Sequence, residues 1–234
     1  MRRHLYLLPL ALALVSSCRA GGDGIVRLVT PRGGEYSVIL PDGTRVWLNV
    51  ESELTYPSRF RAGSREVHLR GEAYFKTVPD AREPFVIHAG GVTLLVPGTE
   101  CNVRVAGEEV IVTPVGGALL VRAGGGQAVC HPRVGQQAVW RAGAFTVADA
   151  DIGLNVAWKE GYFDCRGVPL EQVLEELARW YDFTYSFRSS AARARVVTAR
   201  FSRFDDLDRV LVTLSSDEFL LVREGKTVVV TARR

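Results

Sequence analysis

Few residues in this 234-residue chain have both the type and the spacing that chemistry requires. Past the N-terminal segment there are three histidines, His68, His88 and His131. None stands with another His or with a Cys at the spacing that would place two ligands on one helix face. Cys130 and His131 are neighbours, and in a strand adjacent side chains point to opposite faces. There is no Gly-x-Ser-x-Gly elbow, no phosphate-binding loop and no dinucleotide fingerprint. The run AGGGQ at 123–127 is glycine-rich but carries no Lys, and no helix is expected after it, so it reads as a hairpin loop. A pair drawn from Asp42, Glu51, Glu53 and Glu72 could in principle perform glycoside chemistry. Nothing in the sequence brings two of them together, and they are expected as solvated charges at strand edges. Trp47, Tyr56, Tyr74 and Phe75 could stack on a sugar or pack a β core; the first use would fall to Trp47 and Tyr74. No catalytic residue, metal or cofactor is assigned.

The remaining reactive side chains are four cysteines. Cys18 follows Val15, Ser16 and Ser17, an aliphatic residue and two small ones. Before them lie Arg2 and Arg3 and an apolar run from Leu5 to Val15. As a helix that run reaches roughly 16 Å, against a hydrocarbon core of about 30 Å. It is too short to span and reads as an export signal. The local pattern resembles a bacterial lipoprotein signal, in which the Cys thiol takes a diacylglyceryl group and the chain is cut before it. Residues 1–17 are then a signal peptide, Cys18 the lipidation site, and 18–24 a linker. An ordinary cleavage site with an incidental Cys and a short uncleaved anchor are the alternatives. The reading places the protein in the periplasm, held to a membrane by its lipid. Losing Arg2 and Arg3 takes the formal charge from +3 to +1, which gives no reason to invoke nucleic acid. Cys101, Cys130 and Cys165 are odd in number. A Cys101–Cys130 disulfide is conceivable in an oxidising compartment, but buried free thiols are the favoured reading.

The elements that would position these residues fall into two groups. From 25 to 150, short alternating segments recur between Gly, Pro and Asp turns, which argues an all-β domain, solenoid-like or sandwich-like. "EYSVIL", "TRVWLNV", "REVHLRGEAYFKTV", "FVIHA" and "ECNVRV" are clear examples, and Pro41-Asp42-Gly43 turns between the first two. In "TRVWLN", Val46 and Leu48 take one face, and Arg45, Trp47 and Asn49 the other. The stretch "ADADIGLN" reads as a linker. From 158 to 232 the pattern is strand, helix, strand, strand, helix, strand, strand. One helix carries Leu170, Val173, Leu174, Leu177 and Tyr181 on a single stripe, with Pro169 suited to its first position. The other carries Leu207, Val210, Leu211 and Leu214, with Asp205 as N-cap. The expectation is a small α+β module whose two helices cover one face of one sheet, so the whole chain is mainly β. Its last strand, Thr227, Val228, Val229, Val230 and Thr231, could accept a strand from a partner, unless the all-β domain covers it.

Several ordered blocks carry a family resemblance. They are Leu40-Pro41-Asp42-Gly43-Thr44, Val46-Trp47-Leu48-Asn49, Gly71-Glu72-Ala73-Tyr74-Phe75, Pro84-Phe85-Val86, and Gly98-Thr99-Glu100 followed by Asn102-Val103. Together they resemble the FecR family of anti-sigma regulators over about 25–140. The stretch from "GYFDC" through "PLEQVLEELARWYDFTYSF" resembles the C-terminal module of the same regulators, which is similar to the secretin/TonB short N-terminal domain. The resemblance implies a non-enzymatic periplasmic signalling protein, of the kind that serves regulation of iron or nutrient uptake. A TonB-dependent outer-membrane transducer docks its signalling domain on such a regulator, which in turn controls a sigma factor. The ordinary layout begins with a cytoplasmic domain and a spanning helix. Here an export signal stands in that place, so contact with a sigma factor is expected only indirectly or through another protein. Cys101 stands where the family usually has a bulky apolar residue, which favours a buried thiol. The alternative reading is a carbohydrate-binding or scaffolding lipoprotein on the same fold.

Overall fold

The structure, a computed structural model, describes residues 16–18, 24–188 and 190–233. The greater part of the signal-peptide reading, residues 1–15, and of the linker reading, residues 19–23, lies outside them. In chain order the first strands are β1 (Ser16–Cys18), β2 (Ile25–Val29), β3 (Tyr36–Ile39), β4 (Arg45–Leu48), β5 (Glu53–Pro57), β6 (Arg65–Arg70), β7 (Glu72–Lys76) and β8 (Phe85–Ala89). Then come β9 (Val92–Val96), β10 (Glu100–Ala106), β11 (Glu109–Gly116), β12 (Leu120–Ala123), β13 (Ala128–Cys130), β14 (Gln136–Arg141) and β15 (Ala144–Asp149). They form two sheets, ordered β1-β2-β5-β6-β8-β9-β12-β13 and β15-β14-β11-β10-β7-β4-β3. Every pairing is antiparallel except β6 with β8.

The sheets face one another across a single apolar layer. Leu54, Val67, Phe85, Ile87 and Leu94 come from the first, and Val46, Leu48, Phe75, Cys101 and Val103 from the second; all are fully buried. Strict alternation produces this: β8 and β9 bury every second residue, and Val46 and Leu48 take the core side as their spacing predicts. A fully buried side chain of this size stabilises the fold by about 1.5–3 kcal/mol. The all-β part is thus sandwich-like. Strand β7 breaks the alternation. Glu72, Ala73, Tyr74 and Phe75 are all buried, because something covers the second sheet's outer face as well.

"REVHLRGEAYFKTV" is not one strand. It divides at Gly71 into β6 and β7, which belong to opposite sheets. The crossing needs a left-handed residue, and Gly71 has φ +79°. A Cβ there would stand 2.8 Å from the Cα of Ser52. Gly71→Ala is therefore expected to cost about 3 kcal/mol, from the backbone strain together with the overlap. A urea denaturation series measures it, and a variant within 0.5 kcal/mol of wild type, at the ~0.5 kcal/mol level of an ordinary surface change, would refute the argument.

The stretch read as a linker is folded. Helix α1 (Ile152–Val156) begins there, its N-cap Asp151 accepting from the Leu154 amide, and a turn of 3-10 helix, Ala157–Glu160, follows. Then come β16 (Tyr162–Pro169), α2 (Leu170–Tyr181), β17 (Thr184–Phe187), β18 (Val196–Ser202), α3 (Leu207–Leu214), β19 (Phe219–Glu224) and β20 (Thr227–Ala232). The helix stripes are buried as read, Tyr181 only partly. Two local readings shift by one residue. Pro169 is the cap rather than the first helical residue of α2, and Asp206 caps α3 while Asp205 accepts from the Ser202 amide. The single sheet expected here is two, β16-β18 and β17-β20-β19, because β17 pairs in parallel with β20 and not with β18. α2 and α3 each pack against both sheets, which closes one core around Leu174, Leu177, Leu211 and Val230.

Candidate functional site

The last strand does not offer a free edge. β20 is the centre of its sheet, with Val228 opposite Tyr185 of β17 on one side and Arg223 of β19 on the other. Thr227 to Thr231 therefore have both backbone edges engaged, and strand addition along them is ruled out. A sequence gives each strand's pattern but not its place in the sheet order, and nothing in "TVVVT" distinguishes a central strand from an edge. The outer edges are β17 and β19. β19 is blunted: the Leu221 amide donates to Ser215 Oγ at 3.1 Å, and the Ser216 amide to the Phe219 carbonyl at 2.9 Å.

Among the described residues, β18 also presents an open edge. Its register with β16 pairs Phe163 with Phe201 and Cys165 with Ala199. The flanking bonds, Arg203 N–H to the Gly161 carbonyl and Leu170 N–H to the Arg195 carbonyl, fix which residues face β16. They are the odd-numbered ones. The N–H and C=O groups of Val196, Thr198 and Arg200 face away, with no backbone partner among the described residues. Among the described residues this sheet has two strands, and Val196 is 67 % exposed. An edge of this kind templates pairing with another chain.

β18 leads directly into the joint between the two modules. Arg203 is 2 % exposed. Its Nη2 donates to Asn49 Oδ1 at 3.0 Å and its Nη1 to Glu35 Oε2 at 3.1 Å, both in the first module. Trp180, Phe163 and Trp158 surround the guanidinium, with ring centroids 4.2, 4.9 and 5.9 Å away. Asn49 Nδ2 donates to Glu72 at 2.8 Å, Asn102 Nδ2 to the other Glu72 oxygen at 2.9 Å, and Trp158 Nε1 to Asn102 Oδ1 at 3.2 Å. Burial lowers the Arg203 pKa, against the pull of Glu35, and burial raises that of Glu35, against the pull of Arg203. Arg179 adds a second tie, to Glu51 at 3.0 Å and to the Val50 carbonyl at 2.9 Å, and Arg104 pairs with Glu176. A cavity of about 500 Å³ opens beside Trp158 and Arg203.

The carboxylates read as solvated edge charges are corrected by this joint. Glu72 is buried within it, and Asp42 is largely buried against Arg65 at 3.0 Å. Glu51 and Glu53 sit in ion pairs with Arg32 and Arg27. Glu72 and Glu53 line two different cavities. Trp47 and Tyr74 do meet, edge to face at 5.6 Å. Lys159 Nζ lies over both rings, at 5.2 and 4.8 Å, and the Tyr74 hydroxyl donates to Glu100. Tyr74 is 2 % exposed, so the pair is no open stacking platform for a sugar. Parallel pairing of β6 with β8 stacks His68 on His88 at 4.7 Å, a meeting that their separation in sequence hides. Among the described residues no three His, Cys, Asp or Glu side chains form a group that could hold a metal.

Cys101, Cys130 and Cys165 are free thiols, and Cys101 and Cys130 lie in different sheets. Burial pushes the thiol of Cys101 up to about 12 and, with Asp164 and Glu176 adding to it, that of Cys165 up to about 11. Alkylation with iodoacetamide at pH 8, on a chain carrying Cys18→Ser, is expected to modify Cys130 first. Cys101 should react at least about 100-fold more slowly, since only a thiolate attacks. Equal rates, read by peptide mass spectrometry, would show that Cys101 is reachable in the native state.

The fold and its joint define a two-module, β-rich protein in which a strand edge of the second module runs into the contact with the first. Among the described residues no helix is long and apolar enough to cross a membrane. The family model "FecR protein" matches residues 26–119 and "FecR, C-terminal" matches 162–230. The chain belongs to the FecR family, whose proteins work in sigma-factor regulation and signal transduction, a regulatory and not an enzymatic class. Two crystal structures of a candidate anti-sigma factor from Parabacteroides distasonis ATCC 8503, at 1.65 and 2.50 Å resolution, share the fold. Each is 22% identical to this chain with a TM-score of 0.78. The matches cover 89% and 90% of this chain, and 99% and 100% of the other. No curated protein sequence matches the chain.

Proposed function

We propose that the protein is a cell-envelope signalling regulator that receives the signalling domain of a TonB-dependent outer-membrane transducer on the open edge of β18. The observation that carries this reading is the edge itself. Val196, Thr198 and Arg200 present unpaired backbone groups on a two-stranded sheet, within the segment matched by the family's C-terminal model. Such an edge binds an extended segment through main-chain hydrogen bonds and leaves side chains to choose the partner. The protein then acts on a sigma factor indirectly or through a further protein, from the periplasmic side of a membrane to which Cys18 would tether it by lipid. The test is a pull-down of the chain carrying Cys18→Ser with purified signalling domains of the transducers encoded in the same genome. One of them should bind, and Arg200→Pro, which removes an outward N–H, should weaken binding at least about 10-fold while circular dichroism stays unchanged. A folded chain that binds none, or binding indifferent to Arg200→Pro, would overturn the reading.

A further inference from the structure

We propose that Arg203 couples the open edge of β18 to the first module, so that a strand docked on β18 loosens the joint between the modules. This inference rests on the docking reading above and names how that site would be regulated. Ser202 ends β18, and Arg203 follows it with no intervening turn. The backbone of Arg203 belongs to the second module. Its N–H donates to the Gly161 carbonyl at 2.9 Å, and its own carbonyl accepts from Trp180 Nε1 at 2.6 Å. Its guanidinium belongs to the first module, through Asn49 and Glu35. Movement at the end of β18 is therefore delivered to Asn49 by a single side chain held at both ends.

Strand addition supplies such a movement. Two-stranded ribbons twist more than wider sheets, so a third strand on β18 flattens the β16-β18 pair and turns its end. The joint is built so that it can yield. Arg203 Nε is buried without a hydrogen-bond partner among the described residues, so the closed arrangement leaves that donor unsatisfied there. The cavity of about 500 Å³ alongside leaves Trp158 and Arg203 room to shift. Glu35, the outer clasp, is 37 % exposed and can release its hold into water. Linkage then requires that whatever loosens the joint also favours docking, by the same factor.

The experiment uses the full chain carrying Cys18→Ser, with the purified transducer signalling domains as probe. Affinity is compared between this chain and the same chain with Glu35→Gln, a rim substitution that removes one charge of the clasp and leaves both cores intact. Amide hydrogen exchange is followed at Val50, whose N–H donates to Asn49 Oδ1 at 2.9 Å. The Glu35→Gln chain is expected to bind about 5-fold more tightly, and saturation with the signalling domain should speed exchange at Val50. Equal or weaker binding, or exchange at Val50 unmoved by saturation, would sink the coupling while leaving the docking reading in place. Absence of any binding to the parent chain would remove both.

Discussion

Replacing Arg203 by alanine is expected to cost about 3–5 kcal/mol and to split unfolding into two transitions. The magnitude is that of breaking a buried ionic network from one side. Alanine leaves Asn49 Oδ1 without the guanidinium and Glu35 without its cation, and it empties the space that Trp180, Phe163 and Trp158 enclose. The split follows from the core layout. Residues of the sandwich and of the α+β module form two separate apolar clusters, so between them cooperativity runs through polar contacts such as those of Arg203 and Arg179. Arg203→Lys would not rescue, because an ammonium cannot reach Asn49 and Glu35 at once while lying flat on an indole. Arg203→Met would refill the aromatic cage and should recover about half of the loss. Urea unfolding followed by tryptophan fluorescence reads all three, since Trp158 and Trp180 flank the site. A single, unshifted transition in Arg203→Ala would mean that the modules hold together without this residue.

The contrast between what the sequence discloses and what it hides follows from the range of each signal. Alternation in "TRVWLN" places Val46 and Leu48 inward and Trp47 and Asn49 outward, and the sandwich bears this out. It cannot say that a second module covers the outward side, so Asn49 and Glu72 look like solvent-facing polar residues until the fold is closed. The helix stripes are legible because all of their signal lies within three or four residues. Whether β20 is central or an edge, and whether His68 meets His88, depends on pairings between segments far apart in sequence. Arg203 carries no local signal at all, standing between Ser202 and Phe204 just past a strand as any exposed arginine might. The blocks shared with the FecR family point to the right modules, but they do not show which strand is left open.

Glu72→Gln is expected to cost about as much as Glu72→Ala, some 2–4 kcal/mol, although it preserves shape and volume. The reason is the direction of the hydrogen bonds. Asn49 Oδ1 already accepts from the Val50 amide and from Arg203, so the Asn49 amide nitrogen must point at Glu72. Asn102 Oδ1 accepts from Trp158, so its amide nitrogen must also point at Glu72. Two donors converge, one on each carboxylate oxygen, and only an ionised carboxylate accepts at both. Glutamine would turn its own NH₂ toward one of them, and a buried donor left facing a donor costs about 1–3 kcal/mol. Flipping either asparagine offers no escape, since it would put an NH₂ against Trp158 Nε1 in one case and against Arg203 and the Val50 amide in the other. The damage should therefore spread along the chain of bonds, quenching less at Trp158 and shifting the Asn49 and Asn102 side-chain amide resonances together. Equilibrium unfolding and side-chain NMR test this, and a Glu72→Gln protein as stable as wild type, with both resonances in place, would show that the joint does not need a negative charge at its centre.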